Sequence, residues 1–411
     1  MSSATYCHHA FKRLTMKKYD GDRLLAVAPC CNMSNLVGSV EGQQIGIHIP
    51  DLETLTPEQI FNHPELESLR QNLRNGVRDS RCAVCWRQED LGLQSYRQNN
   101  ISRPHAQDGI ADLTEVDLLT SAMCNLRCRM CEPASSHSLL IDNKFFVEND
   151  LSEQVSYGMG RWLTQQRQPD PARNTPQWNW LMANTHRIKR IRASGGEPFY
   201  DHRLIALLER YIARDHAKDT VLNFHTNGTV MHDQMLDLLR HFKENLHDIS
   251  VDGTGTVYEY IRYPQSWTDL DASIRRYLRK LQLDQVSLTM VVSALNVLNV
   301  AEYVTWAGSL TERVWLHFDE IMPVTRGTAL RHLPRHLLEI AKDRIEHLAL
   351  PSTLADETRV ANVIAQIDLA IRSNHPDRQR MLTEIGLFDR SRTQHYRDHL
   401  DPMLVQWLDR G

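Results

Sequence analysis

The chain has 411 residues, 41% hydrophobic and 24% charged, which is enough apolar material for one large domain or two smaller ones. The formal net charge of −4 gives no reason to expect nucleic acid as the main partner. No apolar run reaches membrane-spanning length and the N-terminal residues lack an apolar signal segment, so we expect no membrane contact and a cytoplasmic location.

All eight cysteines lie in the first third of the chain. They are Cys7, Cys30, Cys31, Cys82, Cys85, Cys124, Cys128 and Cys131. Clustered thiols in a long chain are typical of metal binding in a reducing compartment, whereas a disulfide framework suits a short secreted chain.

The first 110 residues have a pattern of their own. Residues 20–31 predict a hairpin that ends in two adjacent thiols, and residues 54–74 predict a helical segment that stops at an Asn-Gly pair. Cys82-Ala-Val-Cys85 follows. A CxxC pair can bind zinc, be redox-active or ligate an iron–sulfur cluster, and the pair alone does not choose among these roles.

The segment Cys124-Asn-Leu-Arg-Cys128-Arg-Met-Cys131 comes directly after an apolar, strand-like run. A [4Fe–4S] cluster has four irons, so three thiolates can hold three of them and leave the fourth open to a small molecule. A zinc site is the alternative, but zinc motifs usually pair two CxxC or CxxC/His units, and no second pair lies within a few residues. The spacing therefore favours a cluster with an open iron.

Short β-rich runs alternate with helical patterns through the middle of the chain. We predict strands at Val116–Ser121, Ile188–Ala193, Val221–His225, Asp248–Val251, Gln285–Val292 and Val314–Ile321. Amphipathic helical patterns lie between them, as at His202–Arg214, Asp233–Glu244 and Leu270–Leu281. Such alternation implies an α/β fold with parallel strands, in which the chemistry sits in loops at the C-terminal strand ends.

Glycine-containing polar segments follow three of these strands. They are Ser194-Gly-Gly-Glu-Pro198, Asn223-Phe-His-Thr-Asn-Gly228 and Ile249-Ser-Val-Asp-Gly253. Gly-Gly and Asn-Gly pairs are by themselves ordinary turn signals. Their repeated position at strand ends, on the same side as the cysteine loop, favours a ligand-binding role.

These motifs together resemble those of the radical S-adenosylmethionine (radical SAM) superfamily. The resemblance implies a partial (β/α)6 TIM-like barrel over residues 111–328, with a [4Fe–4S] cluster on Cys124, Cys128 and Cys131. It implies that S-adenosylmethionine (SAM) chelates the open iron and is cleaved reductively to a 5′-deoxyadenosyl radical, which abstracts hydrogen from substrate. An electron donor such as flavodoxin or ferredoxin is expected as a partner.

The resemblance also implies the SAM contacts. The positions are Gly195, Gly196 and Glu197 at the amino group, Ser250 at the ribose, Arg262 at the carboxylate, Met130 against the adenine, and Asn227 and Asp252 in the matching strand-end motifs. Ser293 and Asn296 are further candidates for the ribose and adenine site. Arg262 suits a carboxylate because its planar fork binds both oxygens, although a solvated helix charge is the alternative. Met130 departs from the family, which usually has an aromatic residue there.

Three residues are candidate catalytic groups: His225, His317 and Asp319. His225 ends the third strand and is a core histidine, a substrate contact or a proton donor. Strand alternation puts Trp315, His317 and Asp319 on one face, which means substrate contacts if that face points inward and ordinary surface residues if it points outward.

The N-terminal order of an isolated cysteine, a hairpin with a cysteine, a helix and a CxxC pair resembles the SPASM/twitch modules of radical SAM enzymes. The resemblance implies one auxiliary [4Fe–4S] cluster within residues 1–110, for which we choose Cys7, Cys30, Cys82 and Cys85. The adjacent Cys31 is left spare, and the choice between Cys30 and Cys31 stays open. The module usually follows the barrel, so its position before the barrel departs from the commoner arrangement.

Residues 329–411 predict a helical extension, with helices at Leu333–Leu348, Leu354–Ser373 and Asp377–Ile385 and a last stretch near His395–Asp409. It contains no cysteine. A cap over the barrel mouth and a partner surface are both open, and packing is the default explanation.

The resemblance implies oxidative modification of a peptide or protein side chain, with the auxiliary cluster as electron acceptor. Dehydrogenation of a small-molecule carbinol and epimerisation are the alternatives, and epimerisation needs a hydrogen donor such as a thiol. A function of another class, a non-catalytic zinc-binding scaffold, fits the cysteines but not the strand-end motifs.

Overall fold

Strands and helices alternate along most of the chain in the computed structural model, which describes residues 4–20, 23–30, 33, 49–90, 95–98, 110–131, 133, 135–154, 175–320 and 327–410. The strands are β1 (Arg13–Asp20), β2 (Arg23–Ala28), β3 (Glu115–Leu119), β4 (Arg190–Ser194), β5 (Val221–Thr226), β6 (Glu244–Asn245), β7 (Asp248–Ser250), β8 (Gln285–Val292) and β9 (Arg313–Glu320). The helices are α1 (His8–Lys12), α2 (Pro57–Phe61), α3 (Pro64–Arg74), α4 (Ala83–Asp90), α5 (Leu140–Glu148), α6 (Pro176–Ala183), α7 (His202–Ala213), α8 (Asp233–Leu239), α9 (Gly255–Ile261), α10 (Trp267–Leu281), α11 (Val300–Ala307), α12 (Arg335–Glu346), α13 (Thr358–Arg372), α14 (Arg378–Arg392) and α15 (Pro402–Asp409).

The strands form one sheet in the order β2-β1-β3-β4-β5-β7-β8-β9, with β6 beside β5. Every pairing is parallel except the β1–β2 hairpin, as the helical crossovers between the strands require. The fold is thus α/β, a partial barrel of parallel strands with a helical C-terminal region, as predicted from the sequence.

The two faces of the barrel strands differ in polarity. On β8, Val286, Leu288 and Met290 are buried, while Ser287 and Thr289 between them are half-buried. The apolar faces join the largest hydrophobic core together with residues of α7, α10 and α11. The helices therefore cover the apolar outer face, and the polar side chains line the barrel interior.

The six predicted barrel strands are confirmed, with ends that differ by no more than two residues. The helix predicted over Asp233–Glu244 ends at Leu239, because Glu244 and Asn245 form β6 beside β5. The hairpin predicted near residue 20 is real, but the sequence pattern did not indicate that β1 also pairs with β3. That pairing, with Arg13 opposite Glu115, joins the N-terminal residues to the barrel sheet.

The C-terminal region contacts the barrel at two places. Helices α12 and α13 lie against each other and α13 lies against β9, while α14 lies against α5 beside the cysteine loop. The helix predicted over Asp377–Ile385 extends to Arg392, and this added length reaches the loop. No helix among the described residues is both long and apolar enough to cross a membrane.

Candidate functional site

The three thiols of the cysteine loop lie beyond the C-terminal end of β3. Cys124 and Cys128 are buried and Cys131 is half-buried, and none of the three forms a disulfide with a described residue. Burial raises the pKa of Cys124 to about 12. A hydrogen bond from Cys131 lowers the pKa of Cys128, and the same bond raises that of Cys131. Metal binding needs thiolates, so loading these sulfurs would release protons.

The glycine pair after β4 fits tightly against this loop. A Cβ atom on Gly196 would lie 2.2 Å from the Met123 carbonyl oxygen, and one on Gly195, at φ +140°, would lie 2.7 Å from Thr120 Oγ1. The Gly196 and Glu197 amides donate to the carbonyl oxygens of Ser121 (3.0 Å) and Met123 (2.7 Å). The pair therefore lets two strand-end loops touch each other.

Glu197 ties the same loops to β5. Its carboxylate is fully buried and accepts hydrogen bonds from Thr226 Oγ1 (2.8 Å), the Asn227 amide (2.7 Å) and the Phe199 amide (3.2 Å). Burial raises its pKa to about 7 despite these donors. Asn227 in turn donates through Nδ2 to Cys124 Sγ at 3.6 Å, so this polar chain reaches the cysteine loop.

Arg262 and Asp252 form a buried ion pair next to the thiols. Arg262 Nε lies 2.6 Å from Asp252 Oδ2, and the opposite oxygen accepts the Val291 amide at 2.7 Å. Cys128 is among the groups that raise the pKa of Arg262, after Asp252. The two terminal nitrogens of Arg262 make no hydrogen bond to the described residues and stay open to a ligand.

The remaining predicted SAM contacts lie around this pair. Ser250 is half-buried at the end of β7, and Met130 is half-buried against the core. Asn296 is fully buried and uses its amide internally, because it donates to the Asp252 and Val291 carbonyls and accepts from the Ser293 amide. Ser293 and Asn296 thus hold two strand-end loops together.

Helix α14 braces the cysteine loop through Arg129. The Arg129 guanidinium donates to Asp389 Oδ1 (2.6 Å) and to the Tyr260 carbonyl (2.8 Å), and its Cζ lies 3.5 Å from the Tyr260 ring centroid. Tyr260 Oη also donates to Asp389, at 2.7 Å. Arg129 is 4% exposed, so this pair is shielded from water.

A second buried pair strengthens the brace. Arg392 and Asp142 have fully buried side chains, and their closest charged atoms are 3.1 Å apart. Arg127, also in the cysteine loop, approaches Asp142 at 3.3 Å. Sequence reasoning missed these residues because the partners are up to 260 positions apart. The only local signal was the pair of arginines that flank Cys128.

The candidate catalytic residues share the barrel interior. His225 Nε2 lies 2.9 Å from Arg192 Nη2 and 3.7 Å from Asp248 Oδ2. His317 is half-buried and Asp319 reaches solvent. Burial lowers the pKa of His317 and raises that of Asp319, and Asp248 and His225 act on both. His225 and Asp248 are thus joined by a measured distance, and each influences the pKa of both His317 and Asp319.

The four N-terminal thiols chosen as cluster ligands line one pocket. Cys7, Cys30, Cys82 and Cys85 share it with six other residues: His9, Met33, Arg81, Val84, Tyr96 and Arg97. Burial, followed by the charges of Cys7 and Cys30, raises the pKa of Cys82. The predicted spare thiol, Cys31, lies outside the described residues.

The pocket offers four thiol sulfurs, which is the ligand set that a [4Fe–4S] cluster takes. Within the described part of the chain, no three His, Cys, Asp or Glu side chains are placed to hold a single metal ion. In an iron–sulfur cluster the thiolates bind different irons, so they stand farther apart than the ligands of one zinc ion.

The two thiol groups lie near opposite ends of the β1–β3 pair. Cys7 precedes β1, and Ala28, two residues before Cys30, pairs with Thr15 near the start of β1. The cysteine loop instead follows the end of β3. Five residues of β3 span about 17 Å at roughly 3.3 Å each, so the groups are separated by at least that order of distance.

Comparison with known proteins identifies the barrel segment. Residues 118–299 match the model of the radical SAM superfamily. No curated protein matches the chain.

Several solved structures show a distant likeness to the chain. Native anSMEcpe with bound AdoMet is 16% identical with a TM-score of 0.37, covering 56% of this chain and 59% of that chain. Streptococcus suis SuiB bound to precursor peptide SuiA is 13% identical with a TM-score of 0.36, covering 67% and 61%. The chain thus spans about three fifths of the length of these structures.

Proposed function

We propose that the chain is an enzyme that uses its radical SAM domain to cleave S-adenosylmethionine reductively and to abstract hydrogen from a substrate. The observation that carries the proposal is the meeting of three cysteine thiols with a buried arginine whose terminal nitrogens are open to a ligand. A zinc scaffold would need neither that arginine nor the loops packed around it.

In the proposal, Cys124, Cys128 and Cys131 hold a [4Fe–4S] cluster and leave one iron for SAM. When bound, the cluster and SAM supply the one-electron chemistry that makes a 5′-deoxyadenosyl radical. Arg262 binds the SAM carboxylate through its terminal nitrogens, since its Nε is already used by Asp252.

The other SAM contacts follow from the loops at the strand ends. Gly195 and Gly196 let the loop after β4 touch the cysteine loop, which places that loop's backbone near the SAM amino group, and Glu197 and Asn227 fix those loops in place. Ser250 contacts the ribose, and Met130 lies against the adenine.

We assign substrate binding to the barrel interior. His225, His317 and Asp319 lie there with Asp248 and Arg192, which makes the interior polar and charged. His317 has a lowered pKa through burial and Asp319 a raised one. A neutral imidazole beside a carboxyl can take up or return a proton as substrate is oxidised.

An auxiliary [4Fe–4S] cluster on Cys7, Cys30, Cys82 and Cys85 is part of the proposal. The pocket and its four thiols support it. The separation of about 17 Å or more from the cysteine loop favours electron acceptance over direct ligation of the reacting substrate atom. The described cysteines form no disulfide with one another, which favours a reducing compartment such as the cytoplasm.

The preferred reaction is oxidation of a peptide or protein side chain, with a flavodoxin or ferredoxin as electron donor. All seven cysteines of the described residues belong to the two thiol groups, which leaves none of them as a hydrogen donor for epimerisation. Cys31 decides between the two reactions. If Cys31→Ala abolishes uptake of solvent deuterium into product, the reaction is epimerisation.

Anaerobic reconstitution with iron and sulfide tests the cofactors. Two clusters correspond to about eight irons per chain, and one to about four. Cys82→Ala with Cys85→Ala should lose the auxiliary iron alone and keep 5′-deoxyadenosine formation, while Cys128→Ala should abolish it. Zinc without iron, or full 5′-deoxyadenosine formation by Cys128→Ala, would overturn the proposal.

A further inference from the structure

Two buried tyrosines near the Arg262–Asp252 pair have hydroxyl groups that make no hydrogen bond within the described residues. Tyr258 and Tyr303 are both fully buried, and their hydroxyl oxygens are without partners. Tyr258 lies four residues before Arg262 in the same helical turn, because the Arg262 amide donates to the Tyr258 carbonyl at 2.8 Å. A buried hydroxyl without a partner is unusual and calls for a structural or redox explanation.

Both tyrosines have neighbours at the active end of the barrel. Burial raises the pKa of Tyr258, and Arg262 and Cys128 are the next strongest influences on it. Burial also raises the pKa of Tyr303, with Asp252 and Arg262 acting after it. In the geometry, Tyr258 and Arg262 are four residues apart across one helical turn, so their side chains lie on the same side of α9.

Two indoles connect these phenols to the protein surface. The Tyr258 ring centroid is 5.5 Å from that of Trp267, which is 4.8 Å from that of Trp306. The Tyr303 ring centroid is 6.0 Å from that of Trp306. Trp267 and Trp306 are half-buried, and Trp306 Nε1 donates to Asp271 Oδ1 at 2.8 Å. The ring contacts are thus continuous from buried phenol to solvent.

Core packing alone explains aromatic contacts but not two hydroxyls placed in an apolar core, where phenylalanine would avoid the cost of burying them. Tyrosine and tryptophan are the side chains that lose one electron most readily among the aromatic residues. A line of them in contact carries an oxidising equivalent in steps, whereas phenylalanine does not.

We propose that Tyr258, Trp267 and Trp306 form a discharge path that quenches the 5′ radical when no substrate is present. The inference rests on the proposed radical SAM function. Tyr258 is the hydrogen donor, the two indoles pass the oxidising equivalent outward, and Asp271 accepts the Trp306 indole proton.

Each step of this path balances. The 5′ carbon gains a hydrogen atom as the Tyr258 O–H bond breaks, which gives 5′-deoxyadenosine and a tyrosyl radical. An electron from Trp267 and a proton from water restore Tyr258. Trp306 then reduces the oxidised Trp267, and the Trp306 N–H proton moves to Asp271. A low-potential one-electron reductant, of the class that reduces the cluster, then restores Trp306 with return of that proton. The net change adds one electron from the reductant and one proton from water to the 5′ carbon.

Solvent deuterium distinguishes this path from attack on a protein C–H bond, because only the phenol hydrogen exchanges with water. The reconstituted full chain is incubated with SAM and dithionite in D₂O, without substrate and without added thiol. We expect 5′-deoxyadenosine with one deuterium from the wild type and loss of most of that label in Tyr258→Phe. Tyr277→Phe, which removes another buried tyrosine hydroxyl, should keep the label. Unlabelled wild-type product, or full label in Tyr258→Phe, would overturn the path.

The outward steps have their own test. The Trp306→Phe protein should make several-fold fewer 5′-deoxyadenosine molecules per chain before it is inactivated, because the tyrosyl radical is no longer reduced back to tyrosine. Trp178→Phe changes a half-buried tryptophan outside the path and should match the wild type. Equal turnover numbers in Trp306→Phe and wild type would overturn the role of Trp306.

A flash-generated oxidant in solution tests the path without SAM. The wild type should show an indole radical that converts to a tyrosyl radical, and the Tyr258→Phe, Tyr303→Phe double variant should not convert. Absence of any 5′-deoxyadenosine would refute the proposed function, while this optical measurement would still decide the path. Equal tyrosyl signals in both proteins would overturn it.

Discussion

Asp389→Asn is expected to loosen the cysteine loop, because it removes the negative charge that neutralises buried Arg129. The wild-type carboxylate accepts from Arg129 at 2.6 Å, from Tyr260 Oη at 2.7 Å and from the Tyr396 amide at 3.0 Å. Asparagine keeps the size but not the charge. Removal of one partner of a buried ion pair costs about 3–5 kcal/mol, since the other charge stays buried.

The expected shift is easily measured. At about 2–4 °C per kcal/mol for a domain of roughly 150–250 residues, a loss of about 3–5 kcal/mol lowers the melting temperature by about 6–20 °C. Thermal unfolding of the iron-free chain measures this, and iron content after reconstitution measures the effect on the thiols. We expect both to fall.

A matched variant distinguishes loss of the Arg129–Asp389 contact from loss of a carboxylate charge elsewhere on the chain. Glu339→Gln breaks the exposed Arg335–Glu339 pair on α12 and should cost no more than about 0.5 kcal/mol. In a double-mutant cycle, Arg129→Gln with Asp389→Asn should cost less than the sum of the two single changes. If the Asp389→Asn protein has the same melting temperature as the Glu339→Gln protein and retains its iron, helix α14 does not brace the loop.

Three further predictions concern single positions. Arg262→Lys should weaken SAM binding by roughly tenfold to a hundredfold, since a charged hydrogen bond contributes about 1.5–3 kcal/mol, while iron content stays unchanged; an unchanged Kd would remove Arg262 from the site. Gly196→Ala places a Cβ 2.2 Å from a backbone oxygen and should lower both iron retention and the melting temperature. The control Gly386→Ala lies in open space within α14 and should stabilise the folded chain by about 0.5–1 kcal/mol. A Gly196→Ala protein as stable as the wild type would contradict the close approach. Burial lowers the pKa of His247 to about 3, so its neutral form stabilises the fold above pH 6.5 and this contribution is lost as the pH falls towards 3. Between pH 7 and 5, the melting temperature of the wild type should therefore fall more than that of His247→Phe. An equal fall in both proteins would show that His247 does not resist protonation.

Local periodicity was enough to predict the barrel strands but not their neighbours. Gln285–Val292 alternates buried and half-buried residues along its whole length, and its predicted ends are those of β8. The pairing of β1 with β3 depends on which edge is free after the barrel has formed, and the hydrophobic pattern of β1 contains no such information.

Motif spacing predicted which residues lie together, but it did not predict the contacts that each of them makes. Glu197 was expected at the SAM amino group, and its carboxylate is buried among three donors from the protein itself. Gly196 was expected to make room for a ligand, and it makes room for the Met123 carbonyl. These contacts join loops that are distant in the sequence, and the residue spacing within one motif does not encode them.

The contact between Arg129 and Asp389 has a consequence for biosynthesis. The two residues are 260 positions apart, which takes roughly 13–52 s of translation at about 5–20 residues per second. The cysteines thus leave the ribosome long before the helix that braces them exists. We expect iron to be inserted after translation, into the completed chain, and chains that stop before α14 to remain unloaded.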